Sequence, residues 1–159
     1  MRPVFLAWVL SAAAACLDAP PSAVPPSGLV DTGTGRDGPL ATDGATRLDD
    51  ASAALIEPAS AGAVALVLSS ADGLAVGDEV LVLQMTGAGA GHHESAIVEA
   101  VDGDTVRIDR ALASAYPAGG GNQTQVVRIP HFTDVTVQAG GVLGALPWDP
   151  ERGTGGVVS

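Results

Sequence analysis

The chain contains no lysine and a single cysteine, and its aromatic residues are limited to two tryptophans, two phenylalanines and one tyrosine. One cysteine excludes a disulfide within the chain. Seven basic residues stand against 18 acidic ones, and the formal charge of −11 argues against nucleic acid as a partner, because phosphate binding needs clustered cations. Since aromatic residues are scarce and glycine, alanine and valine abundant, we expect a core of small aliphatic side chains carried on strands.

The first 15 residues have the pattern of an export signal. A basic start at Arg2 is followed by an apolar stretch and then by small residues up to Ala15. The apolar run is shorter than the ~20 residues that a membrane-spanning helix needs, so a permanent transmembrane anchor is the weaker interpretation. Cys16 stands where a bacterial lipoprotein signal places its lipid-bearing cysteine, and we predict that Cys16 is lipidated. The alternative is ordinary cleavage at an Ala-x-Ala site, with Cys16 incidental.

Residues 16–52 change character. They are rich first in proline and alanine, then in glycine, threonine and aspartate, and they show no helical or strand period. Such a composition offers little apolar surface to offset the entropy of ordering the chain. We therefore predict that residues 16–52 form a disordered tether that begins at the lipid-anchor cysteine.

Residues 53–133 carry short apolar runs of strand length separated by turn signals, at 63–68, 79–85, 93–101, 104–109 and 123–129. Asp102-Gly103 is a favoured two-residue hairpin turn. No helix of normal length is expected after residue 17. The predicted class is all-β: a small antiparallel module resembling a β-barrel or sandwich, preceded by a signal peptide and a disordered linker.

Two clusters contain residue types that can bind metal ions. His92 and Glu94 share one face of a strand and could converge, whereas His93 points to the other face. We favour the alternative that this segment is a solvated loop end, because a metal site would need further ligands. Asp102, Asp104 and Asp109 could be imagined around calcium, but their spacing is not that of a calcium loop. We predict no catalytic, cofactor-binding or metal-binding residues.

Several segments resemble the front module of large glycine-rich secreted surface proteins of gliding bacteria, some of them described as adventurous gliding motility proteins. The resemblance covers roughly residues 60–159 and is carried by Gly77-Asp78-Glu79-Val80 and by Trp148-Asp149 with Gly155-Gly156-Val157-Val158. It implies a cell-surface or secreted structural role, and it brings no catalytic residues. It also implies that residues 134–159 start a repetitive β region, a parallel β-helix.

One coil of a β-helix is not stable alone, since about three stacked repeats are needed. We therefore expect residues 134–159 to pack on the preceding module or to be loosely held, and to be the truncated start of a longer region. A complete short lipoprotein with an irregular tail is the alternative.

The preferred function is a non-enzymatic structural or adhesion module, exported and lipid-anchored to the cell envelope, at the outer membrane or the cell surface. The expected partners are the membrane, through the lipid, and cell-surface polysaccharide or envelope proteins. The alternatives are the front part of a polysaccharide-acting parallel β-helix enzyme and a lipoprotein of unrelated fold.

Overall fold

The computed structural model describes residues 33–158, and every regular element in that range is a strand, which confirms the predicted all-β class. The predicted signal peptide and Cys16 lie outside the described residues. Across residues 33–158, no helix has the length and apolar character needed to cross a membrane. The strands are β1 Gly38–Thr42, β2 Ala45–Arg47, β3 Ser52–Ala54, β4 Ala65–Val67, β5 Glu79–Thr86, β6 His93–Asp102, β7 Thr105–Ile108, β8 Gln123–Ile129, β9 Phe132–Val137 and β10 Val142–Gly144.

Six of these strands form one antiparallel sheet in the order β3-β8-β5-β6-β7-β4. The sheet curls until its two edge strands approach each other. A bridge between Leu55 and Leu68 joins them, and the Ile56 N–H donates to the Val67 carbonyl at 2.9 Å. Residues 48–131, which contain this sheet, are called the barrel-like module below.

The interior of the barrel-like module is aliphatic, as the composition predicts. Side chains alternate along the strands, so that β5 buries Val80 and Val82 and leaves their neighbours half-buried. The fully buried side chains include one large aromatic, Tyr116, and otherwise mostly branched residues: Leu66, Leu68, Val98, Val106, Ile108 and Val126. Burying a side chain of this size contributes roughly 1.5–3 kcal/mol.

The predicted hairpin is present between β6 and β7. Asp102 pairs with Thr105, so the two turn residues are Gly103 and Asp104, one position later than the sequence suggested. Gly103 has a φ of 56°, in the left-handed region that glycine enters without steric cost. The hairpin is thus confirmed, with its turn displaced by one residue.

The other four strands pair in parallel and form two stacked coils. β1 pairs with β9, Leu40 lying opposite Val135, and β2 pairs with β10, Thr46 opposite Leu143. Residues 38–47 are called the first coil and residues 132–144 the second coil. The barrel-like module is therefore inserted in the chain between two successive coils of a short parallel β-helix.

The prediction of a disordered tether through residue 52 is wrong for residues 38–47, which form β1 and β2. The reason is that these strands take their backbone partners from residues 132–144, far along the chain. No local period reveals such pairing. The β-helix-like region likewise begins before residue 134, because its first coil precedes the module.

Candidate functional sites

A cluster of charged side chains joins the first coil to the barrel-like module. Arg128, in β8, places its Nε 3.0 Å from Oδ1 of Asp78, and its guanidinium also binds Asp37 just before β1. Arg36 Nη1 lies 3.4 Å from the same Asp78 oxygen. Asp78 is only 3% exposed, and the two arginines compensate the burial of its carboxylate.

Burial and hydrogen bonds act in opposite directions on the pKa values of Asp37 and Arg128. Burial raises the pKa of Asp37, but the His131 N–H and the Arg128 guanidinium outweigh burial and hold that pKa below its ordinary value. Burial lowers the pKa of Arg128, and its bonds to Asp37 and Asp78 outweigh that effect and raise it. The pair is therefore ionised at neutral pH.

His131 extends the cluster to the start of the second coil. Its Nδ1 accepts the Thr34 N–H at 2.9 Å, and its Nε2 donates to Oε2 of Glu79 at 2.7 Å. Its backbone N–H donates to Oδ2 of Asp37 at 2.7 Å. Because a backbone N–H can only donate, Nδ1 carries no hydrogen in this arrangement, and the imidazole is the Nε2-protonated tautomer. Arg36, Asp37, Asp78, Glu79, Arg128 and His131 are called the junction cluster below.

A second contact fixes the chain where it leaves the second coil. Asp49 is fully buried, and its Oδ1 accepts the Leu146 N–H at 2.8 Å. The neighbouring Leu48 N–H donates to the Gly144 carbonyl at 3.0 Å. Entry to the module and exit from the second coil are thus held together by backbone and carboxylate hydrogen bonds.

The segment after the second coil packs against β8 through two glutamines. Buried Gln125 donates its Nε2 to the Gly155 carbonyl at 3.1 Å and accepts the Gly155 N–H on Oε1 at 3.0 Å. Gln123 Nε2 donates to the Pro150 carbonyl. Gly155 has a φ of 99°, and a Cβ there would lie 2.4 Å from the Pro147 carbonyl oxygen. This stretch is therefore packed on the module, the first of the two outcomes expected from the sequence.

An open groove of about 760 Å³ runs between this segment and the end of β3. Its apolar lining includes Ala54, Leu55 and exposed Ile56. Its polar lining consists of amide, hydroxyl and charged groups, from Ser52, Ser69, Thr86, Asn122, Gln123, Thr124, Glu151, Arg152 and Thr154. The volume lies in the range of small-ligand sites.

Two of the three residues of the candidate metal site, Glu94 and His93, bind backbone groups instead. Glu94 accepts the backbone N–H groups of Ala113 and Ser114 at 2.7 and 2.8 Å. Burial raises the pKa of Glu94, but those two N–H groups hold it below its ordinary value. His93 donates from Nδ1 to the Gly91 carbonyl at 3.0 Å, and His92 is exposed. Within residues 33–158, no three histidine, cysteine or acidic side chains are grouped so as to hold a metal ion.

The three aspartates considered for calcium are not brought together by shared contacts. Asp104 Oδ1 accepts the Ala71 N–H at 3.3 Å, and Asp102 is an exposed end of the hairpin. Asp109 accepts the Ile97 N–H at 2.8 Å, which lowers the pKa of Asp109. The two aspartates with partners bind backbone groups across neighbouring segments.

Tyr116 lies fully buried beside Glu94. Burial raises the pKa of the Tyr116 hydroxyl, and the negative charge of Glu94 raises it further. Tyr116 also pairs with Ala59, with the Ala59 N–H donating to the Tyr116 carbonyl at 2.9 Å and the Tyr116 N–H returning to the Ala59 carbonyl at 2.7 Å. The ring is thus a packing anchor of the core.

No family model matches the sequence, and no curated protein does either. Solved structures with a partly similar fold include three phage tailspikes. The gp54 tailspike of Acinetobacter baumannii bacteriophage AP22, solved in complex with A. baumannii capsular saccharide, is 14% identical over 58% of this chain, with a TM-score of 0.43. The tailspikes gp61 of Pseudomonas phage phi297 and gp49 of Pseudomonas phage LKA1 are 19% and 21% identical, each over 67% of this chain and with a TM-score of 0.41.

The chain spans 16%, 21% and 24% of the length of those three tailspikes. Similarity at this level defines no activity for the chain.

The sequence alone does not predict the junction cluster. Gly77-Asp78-Glu79 belongs to the resemblance, but its partners cannot be inferred from it, because Asp37 and Arg128 are separated by 91 residues. One feature of the sequence could have indicated the cluster, because Arg128 directly follows two valines in β8, both of which are fully buried. An arginine at the end of such a strand predicts a carboxylate partner nearby.

Proposed function

We propose that the chain is a non-enzymatic structural or adhesion module of the cell envelope, exported and held to a membrane by a lipid on Cys16. In this role the barrel-like module serves as a rigid base for the stacked coils. The observation that carries the proposal is the junction cluster, in which the half-buried Arg128 binds Asp78 of the module and Asp37, the residue just before the first coil.

The physical reason for such a base is the weakness of short coil stacks. Two coils alone bury too little surface to be stable, because repeat arrays need about three units. Here the first coil is bound through Asp37 to Arg128, and the second coil follows directly from His131. A module that supplies the missing contacts can support a stack presented at the surface of a cell.

Lipidation of Cys16 and export to the membrane are tested together in a bacterium that expresses the full chain. Wild type is expected to incorporate labelled fatty acid and to sediment with membranes, whereas Cys16→Ser remains unlabelled and is released or left as a precursor. Ser11→Cys in the Cys16→Ser background is the matched control, since it keeps one cysteine at a position where lipidation is not expected. Unlabelled, soluble wild type that begins after Ala15 would contradict the anchor.

A second candidate function is binding of cell-surface polysaccharide, favoured by the groove. A groove lined by both apolar side chains and amide, hydroxyl and charged groups can contact both the faces and the hydroxyl groups of sugars. Arg152 has a side chain 82% exposed and Glu151 is exposed, so both can be changed without disturbing the core.

The groove is tested by titrating the full chain with oligosaccharides prepared from bacterial surface polysaccharide. Arg152→Ala with Glu151→Ala is expected to weaken binding, whereas Arg110→Ala, exposed and outside the groove lining, leaves binding unchanged. Equal binding by all variants would place the saccharide elsewhere. New reducing ends produced by the wild type would contradict the non-enzymatic assignment.

A further inference from the structure

Hydrogen bonds within the protein already use several donors of the groove lining. The Thr86 hydroxyl donates to the Gly121 carbonyl at 2.9 Å, and the side-chain amides of Asn122 and Gln123 donate to two further backbone carbonyls. A hydroxyl has one hydrogen, so Thr86 offers a ligand only its oxygen lone pairs, while each amide keeps its oxygen and one N–H. The groups left for a ligand are therefore shifted towards hydrogen-bond acceptors.

The charges of the groove lie on one turn. Among the described residues that line the groove, Arg152 is the only cation, and its Nε lies 3.5 Å from Oδ2 of Asp149. The backbone N–H groups of Glu151 and Arg152 both donate to Oδ1 of Asp149, which fixes this turn. The Glu151 carboxylate adds a second negative charge. Two carboxylates therefore belong to the same turn as one guanidinium, in a chain with a formal charge of −11.

We propose that the groove binds uncharged glycan, a chain of neutral sugars, and discriminates against acidic polysaccharide such as a polyuronate. The inference rests on the polysaccharide binding proposed above and names the class of glycan for the same groove. Each neutral sugar supplies several hydroxyl hydrogens to the acceptors of the lining. A ligand carboxylate only accepts hydrogen bonds, and it would bring a further negative charge to the turn of Glu151.

The apolar part of the lining favours the same class. Ile56 is 56% exposed in the groove, beside Ala54 and Leu55. The C–H faces of neutral sugar rings can cover such a surface without losing a hydrogen bond. A charged group held against it would lose water and gain no partner in return, which costs binding free energy.

The class is tested with oligosaccharides prepared from bacterial surface polysaccharide and separated by anion exchange into a neutral and an acidic fraction. Part of the acidic fraction is carboxyl-reduced, which converts each uronate into the corresponding neutral sugar on an unchanged backbone. Titration of the full wild-type chain at low ionic strength is expected to show binding of the neutral fraction. Carboxyl reduction should lower the Kd of the acidic fraction about tenfold or more, since repulsion is weakly screened there.

The possible failures of this titration are distinct. Equal binding of the acidic fraction before and after reduction, or tighter binding before it, would overturn the inference and leave polysaccharide binding in place. Binding of no fraction would contradict polysaccharide binding itself, and the inference with it. Because the chemical change is made on the ligand, this comparison does not depend on the folding of a variant.

A charge reversal locates the discrimination. Glu151→Lys is expected to raise affinity for the acidic fraction about tenfold, because the turn then carries two cations and one carboxylate. The matched control is Glu99→Lys, which changes the net charge equally at an exposed glutamate on β6, outside the groove lining. The control should alter affinity for the acidic fraction by no more than about twofold. An equal gain in both variants would show that net charge, and not the groove, excludes acidic glycan, and would overturn the inference.

Discussion

The barrel-like module and the coil stack are made of similar residues, yet the module buries them and the coil stack leaves several of them exposed. Val82 in the module is completely buried, whereas Val135 in the second coil is half exposed. The difference lies in the pairing. The module's sheet curls until Leu55 meets Leu68, while β9 and β10 each keep one open edge within the described residues. An identical side chain therefore stabilises the fold in one region and offers a contact surface in the other.

The largest difference between the two regions is expected for leucine truncations. Leu66→Ala, in the module core, should cost about 2–5 kcal/mol, because it removes a fully buried side chain and leaves a cavity. Leu40→Ala makes the same change in the half-buried first coil and should cost less than about 2 kcal/mol. Urea denaturation measures both. Equal losses would mean that the coil is as tightly packed as the module.

The next largest loss of stability is expected when the junction cluster, which links the first coil to the module, is disrupted. Arg128→Met should cost about 2–4 kcal/mol, because it leaves the buried carboxylate of Asp78 without its nearest cation and frees Asp37. The first coil should also become more sensitive to protease than the module, since its anchor is lost. The same denaturation series and limited proteolysis report the two effects.

Arg107→Met is the matched control for that change, because Arg107 is exposed on β7. It should shift stability by no more than about 0.5 kcal/mol. If the two arginine variants behave alike, the junction cluster does not hold the coil to the module.

The two regions also differ in how well they could be predicted. The strands of the module follow from alternation and turn residues, as in β5, where Val80 and Val82 mark the buried face. The first coil carries Pro39, Gly38 and Gly44, residues typical of linkers, and becomes ordered only through pairing with the second coil. Non-local pairing of this kind leaves no local period.

The same limit applies to the candidate sites. Single residues such as His92 and Glu94 could be weighed from the sequence, but Glu94 turned out to bind Ala113 and Ser114, which the chain brings back after a hairpin. The groove combines residues from β3 with residues 151–154. Neither arrangement has a spacing that a sequence motif could record.

Acid should weaken the junction before it weakens the core. The lowered pKa of Asp37 contributes stability that is present above the ordinary aspartate pKa of about 3.9 and is lost as the pH falls through the folded value. Asp37→Asn should therefore cost roughly 1–2 kcal/mol at pH 7 and flatten the loss of stability below about pH 4. Denaturation curves between pH 7 and pH 2 measure this.

Asp134→Asn serves as the control for acid, because Asp134 is exposed on β9 and has no part in the junction cluster. Its stability should follow the wild-type curve at every pH. Parallel curves for wild type and Asp37→Asn would show that another carboxylate governs acid unfolding.

The smallest effect is expected for the titration of Tyr116, the only tyrosine of the chain, which lies inside the module. Burial, and then the charge of Glu94, raise the pKa of Tyr116, so its neutral form stabilises the fold below the ordinary tyrosine pKa of about 10, and that contribution is lost as the pH rises through the folded value. Because tyrosinate absorbs near 295 nm and no second tyrosine interferes, an alkaline titration reports this group alone. In the native chain the midpoint should lie above that of the denatured chain, and Glu94→Gln should move it part of the way down, since burial remains. Glu99→Gln, an exposed glutamate on the same strand, should leave the midpoint unchanged. A native midpoint equal to the denatured one would mean that Tyr116 is open to solvent. The core of the module would then be packed differently, and burial would no longer distinguish the module from the coils.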